Sequence, residues 1–109
     1  MKTLFSSVIT KYKEFRSKNE RLKRIYQLHR LQSNICKCVT HARLMHGIDS
    51  EDPDIRLGFN FSIVASQLII VIIDSESDDY EGVDLVVERL TDDVNVYTTK
   101  MHERFMENN

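Results

Sequence analysis

The apolar residues of the first 46 positions recur at helical spacing, and they form two series. The first apolar series consists of Phe5, Val8, Tyr12, Phe15, Leu22 and Tyr26. The second apolar series consists of Leu28, Leu31, Ile35, Cys38, Ala42 and Met45. Steps of three and four residues, interrupted once at the polar Asn19, predict amphipathic helices, with a shift of one position near His29. Since residues 3–46 contain no Gly or Pro, they form either one long helix or two helices that meet near Ser17, where Glu20 completes a capping-box spacing.

The middle of the chain carries a pattern typical of β-structure. Residues 47–58 contain two Gly and the single Pro among several acids, which predicts a loop. Apolar and polar residues alternate over 59–63, and 68–73 is an unbroken aliphatic run that is mostly β-branched. We therefore predict a short two-stranded β-element over residues 55–73 with a bend at 65–67. One continuous helix through this stretch is the alternative.

Helical periodicity returns after an acidic segment and continues almost to the last residue. The apolar positions are Val83, Val87, Leu90, Val94, Tyr97, Met101 and Phe105. This spacing predicts an amphipathic C-terminal helix over residues 83–107. The sequence as a whole predicts a predominantly helical α+β fold. With 109 residues, 41% of them apolar, residues 1–109 are expected to form a single domain with one core.

The net charge of −2 conceals a division between the two halves of the chain. Residues 1–50 carry eleven Lys and Arg against three acids, a net charge of +8. Residues 51–109 carry four Lys and Arg against fourteen acids, a net charge of −10. This asymmetry favours either pairing between the basic and acidic helices or an anionic partner for the basic part.

Four basic residues of the N-terminal part stand seven residues apart and form what we call the basic stripe. They are Arg16, Lys23, Arg30 and Lys37, and Lys13 and Arg24 widen the stripe. On a helix a seven-residue step drifts by only about 20°, so these side chains share one face. We predict that these six residues bind a partner. The face can instead be solvated or lie against the acidic helix.

Catalytic and metal-binding patterns are incomplete in this sequence. Cys36, Cys38, His41 and His46 are close together, but their spacing does not converge on one tetrahedral zinc site. Residues 74–85 begin like a calcium loop but lack the required Gly and Glu. The pairs Cys36 with His41 and Ser33 with His29 have no third residue to orient the base. We therefore expect a protein without enzymatic activity, cofactor or metal.

Residues 57–73 contain no charge, which raises the question of a membrane span. The stretch is shorter than the roughly twenty apolar residues of a typical span, and it includes Asn60, Ser62, Ser66 and Gln67. A buried element is the better interpretation. Two cysteines do not make a disulfide framework, and the N-terminal apolar run is too short for a secretory signal, so we expect a cytoplasmic protein.

These observations favour a small interaction protein that binds and regulates or inhibits another protein. The composition, without Trp and with one Pro, is typical of a small accessory factor from an AT-rich phage genome. A homodimer would cover the exposed edge of a two-stranded element. The first alternative is nucleic-acid binding by the basic face of residues 11–37, and the second is membrane association through residues 57–73.

Overall fold

Over the residues that the structure describes, the chain forms three α-helices connected by two short segments. The computed structural model describes residues 2–76 and 79–106, apart from the side chains of residues 2–5 and 15–17. The helices are α1 (Lys2–His46), α2 (Pro53–Asp74) and α3 (Glu81–Met101), and a π-helical turn (His102–Met106) follows α3. Within these described ranges there is no β-strand. The predicted α+β class is therefore wrong, and the fold is all-helical.

The predicted β-element over residues 55–73 is the interior of α2. The Asp52 carboxylate caps the first turn by accepting a 2.9 Å hydrogen bond from the amide of Asp54, and Pro53 occupies the first helical position. Residues spaced for a helix then lie buried against the other helices, namely Ile55, Gly58, Ala65, Ile69 and Ile72. The cap and this packing outweigh the β-propensity of the aliphatic run, which depends strongly on context.

Helix α1 is continuous through Ser17, so the N-terminal part is one helix of 45 residues rather than two. It ends at Gly47, whose φ of 65° lies in the left-handed region that Gly adopts without strain. The amide of Ile48 then bonds to the carbonyl of Ala42 at 3.3 Å, and Ile48 packs against the core. This turn sends the chain back along α1 as α2.

The C-terminal half of α1 packs antiparallel to α2 and parallel to α3. Gln32 in α1 donates hydrogen bonds to the carbonyl of Ser62 and the hydroxyl of Ser66 in α2, at 2.9 and 2.6 Å. Arg24 in α1 meets Asp84 near the start of α3. The core contains the second apolar series up to Ala42 and Val39 of α1, one face of α2 and one face of α3, with Tyr80 and Phe105 flanking α3.

The first apolar series does not join this core where its side chains are described. Val8, Tyr12, Leu22 and Tyr26 are all exposed, with Tyr26 at 66% and Leu22 at 52%. Helices α2 and α3, with 22 and 21 residues, cover only about half the length of α1. The N-terminal half of α1 therefore extends from the bundle, and the molecule measures 70 × 22 × 20 Å.

Candidate functional site

The structure exposes most of the predicted basic stripe on the side of α1 that faces away from α2 and α3. Lys23, Arg30 and Lys37 are exposed, and none of them makes an ion pair with a described residue. Lys13 is also exposed, closer to the N-terminus. Arg16 lies on the same helix, but its side chain is outside the described part of the structure. Four of the six predicted residues are thus exposed and available to contact a partner.

Arg24 differs from the other residues predicted for this site. Its guanidinium forms two hydrogen bonds to the Asp84 carboxylate, at 2.7 and 2.9 Å, and a third to Glu20 at 3.2 Å. It also lies 4.2 Å from the centroid of the Tyr80 ring. The hydrogen bond with Asp84 raises the pKa of Arg24 and lowers the pKa of Asp84. Arg24 therefore fastens α3 to α1.

Exposed apolar side chains lie between the free cations. We define the outer face of α1 as Tyr12, Leu22, Lys23, Tyr26, Arg30 and Lys37. Leu22 and Tyr26 precede Arg30 by two turns and one turn of the helix, so a partner that touches the cations also meets apolar surface. Residues 21–46 contain no acid and six Lys or Arg, which makes this side of the molecule uniformly positive or neutral. Sequence periodicity indicated these apolar positions but did not show that they are exposed.

A second exposed surface was missed because the sequence was interpreted as β-structure. Helix α2 turns seven large apolar side chains toward solvent: Leu57, Phe59, Ile63, Val64, Ile70, Val71 and Ile73. Four of them, together with Ser66, lie four, three, four and three residues apart. We call this set the apolar strip of α2; it consists of Phe59, Ile63, Ser66, Ile70 and Ile73. Soluble monomers rarely expose so much contiguous apolar surface unless a partner uses it.

Helix α2 is also long and apolar enough to cross a membrane by length and composition. The core helix of a soluble protein passes the same test, but such a helix is mostly buried. In α2 only 22% of the most apolar 18-residue window is buried. The remaining surface of α2 therefore needs an explanation other than packing within this chain.

An ion cluster at the other end of the bundle attaches the start of α2 to the C-terminal turn. Arg104 bonds to the Asp52 carboxylate at 2.8 and 2.9 Å and to the Asp54 carboxylate at 2.6 Å. Lys100 lies 3.1 Å from Asp54. Because Arg104 hydrogen-bonds to Asp52, the pKa of Asp52 falls to about 2, and the pKa of Arg104 is raised by the same contacts. These charges neutralise one another, and the cluster links the start of α2 to the C-terminal end of α3 and the turn that follows it.

The two cysteines of α1 differ in exposure, and two of its histidines lie close together. Cys36 is exposed and lies 3.7 Å from the Thr40 hydroxyl, whereas Cys38 is buried, and burial raises the pKa of its thiol. The rings of His41 and His46 are 5.4 Å apart. No group of three His, Cys, Asp or Glu suited to a metal occurs among the described residues. Two positions of the calcium-like segment, Ser77 and Asp78, lie outside them.

No protein family, curated protein or solved structure matches this chain. Its two exposed surfaces, the outer face of α1 and the apolar strip of α2, are the candidate binding sites.

Proposed function

We propose that this protein is a small non-enzymatic interaction protein that binds another protein through the outer face of α1 and thereby regulates or inhibits it. The observation that carries the proposal is that Lys23, Arg30 and Lys37 are exposed beside the exposed side chains of Leu22 and Tyr26 and form no ion pair with any residue that the structure describes. Tyr and Arg are enriched among residues that dominate binding energy in protein interfaces. The cations supply orientation and association rate.

The partner that fits this face has carboxylates arranged around an apolar groove. A helix laid in such a groove presents side chains at steps of three, four and seven residues. On α1 these steps connect Tyr26 to Arg30 and connect Lys23, Arg30 and Lys37 to one another. The face is longer than the region supported by α2 and α3, so the N-terminal half of α1 offers the partner a free helical arm.

Nucleic-acid binding is the second candidate, and one observation favours it. Tyr26 stands between Lys23 and Arg30 in sequence with its ring 66% exposed, so a base can stack on the ring while the cations contact phosphates. This candidate ranks second because residues 51–109, at −10, repel a phosphate backbone that follows α1 closely. The apolar side chain of Leu22 also contributes nothing to phosphate binding.

The test compares two triple variants with the same change in charge. The face variant carries Lys23→Gln, Arg30→Gln and Lys37→Gln. The control variant carries Lys11→Gln, Lys18→Gln and Arg89→Gln, which also removes three exposed cations but leaves the outer face intact. Each tagged protein is used for affinity capture from cells that naturally contain it, and the captured material is scored for protein and for nucleic acid.

We expect both variants to melt like the parent, because the substituted side chains are exposed. The parent and the control variant should capture the same protein, and the face variant should not. If the parent captures nucleic acid instead, the second candidate is favoured. The slope of the logarithm of its binding constant against the logarithm of the salt concentration should then fall by about 0.7 to 0.9 for each phosphate contact that a variant loses. Equal capture by all three proteins would exclude the outer face as the binding surface.

A further inference from the structure

We propose that two copies of this chain associate through the apolar strip of α2, with the two α2 helices antiparallel. The strip is exposed along most of its length: Phe59 is 40% exposed, and Ile63, Ile70 and Ile73 are 54–57% exposed. Steps of four and three residues keep a row of side chains facing a second helix along its whole length, as in coiled coils. This surface is separate from the outer face of α1, so the inference stands independently of the proposed function.

The rotation of α2 about its own axis is fixed, so the strip cannot turn into the core of the same chain. Gln32 holds Ser62 and Ser66 through its side-chain amide, at 2.9 and 2.6 Å. On the far side of α2, the ring of Phe61 packs edge-on against the ring of Tyr97 at 5.7 Å. With both sides of α2 engaged, the strip remains on the outside.

The spacing of the strip favours a second copy over an unrelated partner. When Arg56 is included, the positions are 56, 59, 63, 66, 70 and 73, and this series has the same intervals in either direction. An antiparallel pair with its two-fold axis between residues 64 and 65 therefore places Phe59 opposite Ile70 of the second copy. It also places Ile63 opposite Ser66, whose small side chain lets the helices approach closely. In a two-fold interface the same surface of both copies meets, so a strip with the same intervals in both directions fits such an interface.

Charge at the two ends of α2 selects the antiparallel direction. Arg56 stands at the N-terminal end and Asp74 at the C-terminal end, about 27 Å apart at 1.5 Å per residue. In the antiparallel pair each Arg56 lies beside Asp74 of the second copy and near the negative end of that helix dipole. In a parallel pair Arg56 would face Arg56, and Asp74 would face Asp74. Two favourable ion pairs thus replace two like-charge contacts.

The first measurement is sedimentation of the full chain across the micromolar range. We expect a species of about twice 12.8 kDa. The variant Ile63→Lys should sediment as a monomer and still melt cooperatively, because this side chain is 55% exposed. The matched control Val96→Lys changes a side chain of α3 that is 71% exposed, and it should remain dimeric. A monomeric parent, or an Ile63→Lys variant that dimerises like the parent, would overturn the proposal.

The second measurement tests the direction of the helices by exchanging charges. Arg56→Asp and Asp74→Arg should each weaken dimerisation about tenfold, because the two-fold axis repeats every lost pair. The double variant restores opposite charges and should dimerise like the parent. A double variant that dimerises more weakly than either single variant would exclude the antiparallel arrangement.

A third measurement is flotation of the parent with phospholipid vesicles. If the parent floats with the vesicles and forms no dimer, the strip binds a lipid surface, and the proposal is overturned.

Discussion

The hydroxyl of Tyr97 donates a 2.8 Å hydrogen bond to the main-chain carbonyl of Asp54, and this bond joins α3 to the first turn of α2. Tyr97 is 2% exposed, so water does not compete for the bond. Gly58 lies one turn further along α2, against the same hydroxyl. A Cβ atom at Gly58 would meet Tyr97 Oη and would lie 2.9 Å from Cγ2 of Val39 in α1. The three helices therefore approach most closely where α2 lacks a side chain.

This arrangement predicts a specific coupling between Gly58 and Tyr97. Gly58→Ala should destabilise the protein by about 1 to 3 kcal/mol, because overpacking outweighs the gain of about 1 kcal/mol in helix propensity. Tyr97→Phe should cost about 1 kcal/mol for the lost hydrogen bond. The double variant should be more stable than the sum of the two losses predicts, since the hydroxyl that clashes is gone. Chemical denaturation of all four proteins measures the coupling, and strict additivity would contradict the close contact.

The start of α2 could be predicted from the sequence, but its aliphatic run could not be assigned to a helix. The pair Asp52 and Pro53 is a local helix-start signal, and the structure uses it in that way. The aliphatic run over residues 68–73 gave the opposite indication, because β-branched residues fit strands as well as buried helices. Only the packing of Ala65, Ile69 and Ile72 at helical spacing decides between the two, and that packing depends on α1 and α3.

Periodicity alone predicted α1 and α3 as helices, but it did not show which apolar series of α1 is buried. Both series have correct helical spacing, and they differ by a shift near His29. The choice depends on how much of α1 the other helices cover. Since α2 and α3 are about half as long as α1, they cover the second series up to Ala42, whereas the members of the first series whose side chains are described are exposed. The residues of the basic stripe belong to α1, but the role of Arg24 depends on Asp84, sixty residues away.

The ion cluster predicts a loss of stability in acid. The folded pKa of Asp52 is about 2, below its ordinary value of 3.8, because Arg104 hydrogen-bonds to the carboxylate. A lowered folded pKa stabilises the protein above the unfolded pKa, and this stabilisation disappears as pH falls from about 4 to 2. Melting temperature should therefore fall through this window. The variant Arg104→Gln should melt lower than the parent at neutral pH, with a difference that narrows toward pH 2.

A matched control separates the cluster from a general effect of charge. Arg89 is exposed on α3 and makes no ion pair among the described residues, so Arg89→Gln should follow the acid profile of the parent. If Arg104→Gln also follows the parent at every pH, the contacts of Arg104 with Asp52 and Asp54 do not stabilise the fold.

We expect the protein to lose stability in alkali as well, because Tyr97 titrates there. Burial, helped by the negative charges of Cys38, Asp54 and Asp52, raises its folded pKa to about 12 from an ordinary value of 10.0. The unfolded chain then releases the proton first, so stability falls as pH rises from about 10 to 12, by roughly 2 to 3 kcal/mol. Denaturation of Tyr97→Phe should lack most of this slope. An unchanged slope would mean that another group dominates the alkaline transition.

The same substitution at two leucines of α1, nine residues apart, shows which side of the helix faces the core. Leu31 is 6% exposed and belongs to the second apolar series, whereas Leu22 is 52% exposed and belongs to the first. Leu31→Asp buries an unpaired carboxylate and should cost about 3 to 5 kcal/mol. Leu22→Asp leaves its charge in water and should cost no more than about 0.5 kcal/mol. Thermal melts at neutral pH compare the two variants directly. Similar losses of stability at both positions would mean that Leu22 is covered in solution. If Leu31→Asp melts like the parent, the opposite face of α1 is the one that packs against the core.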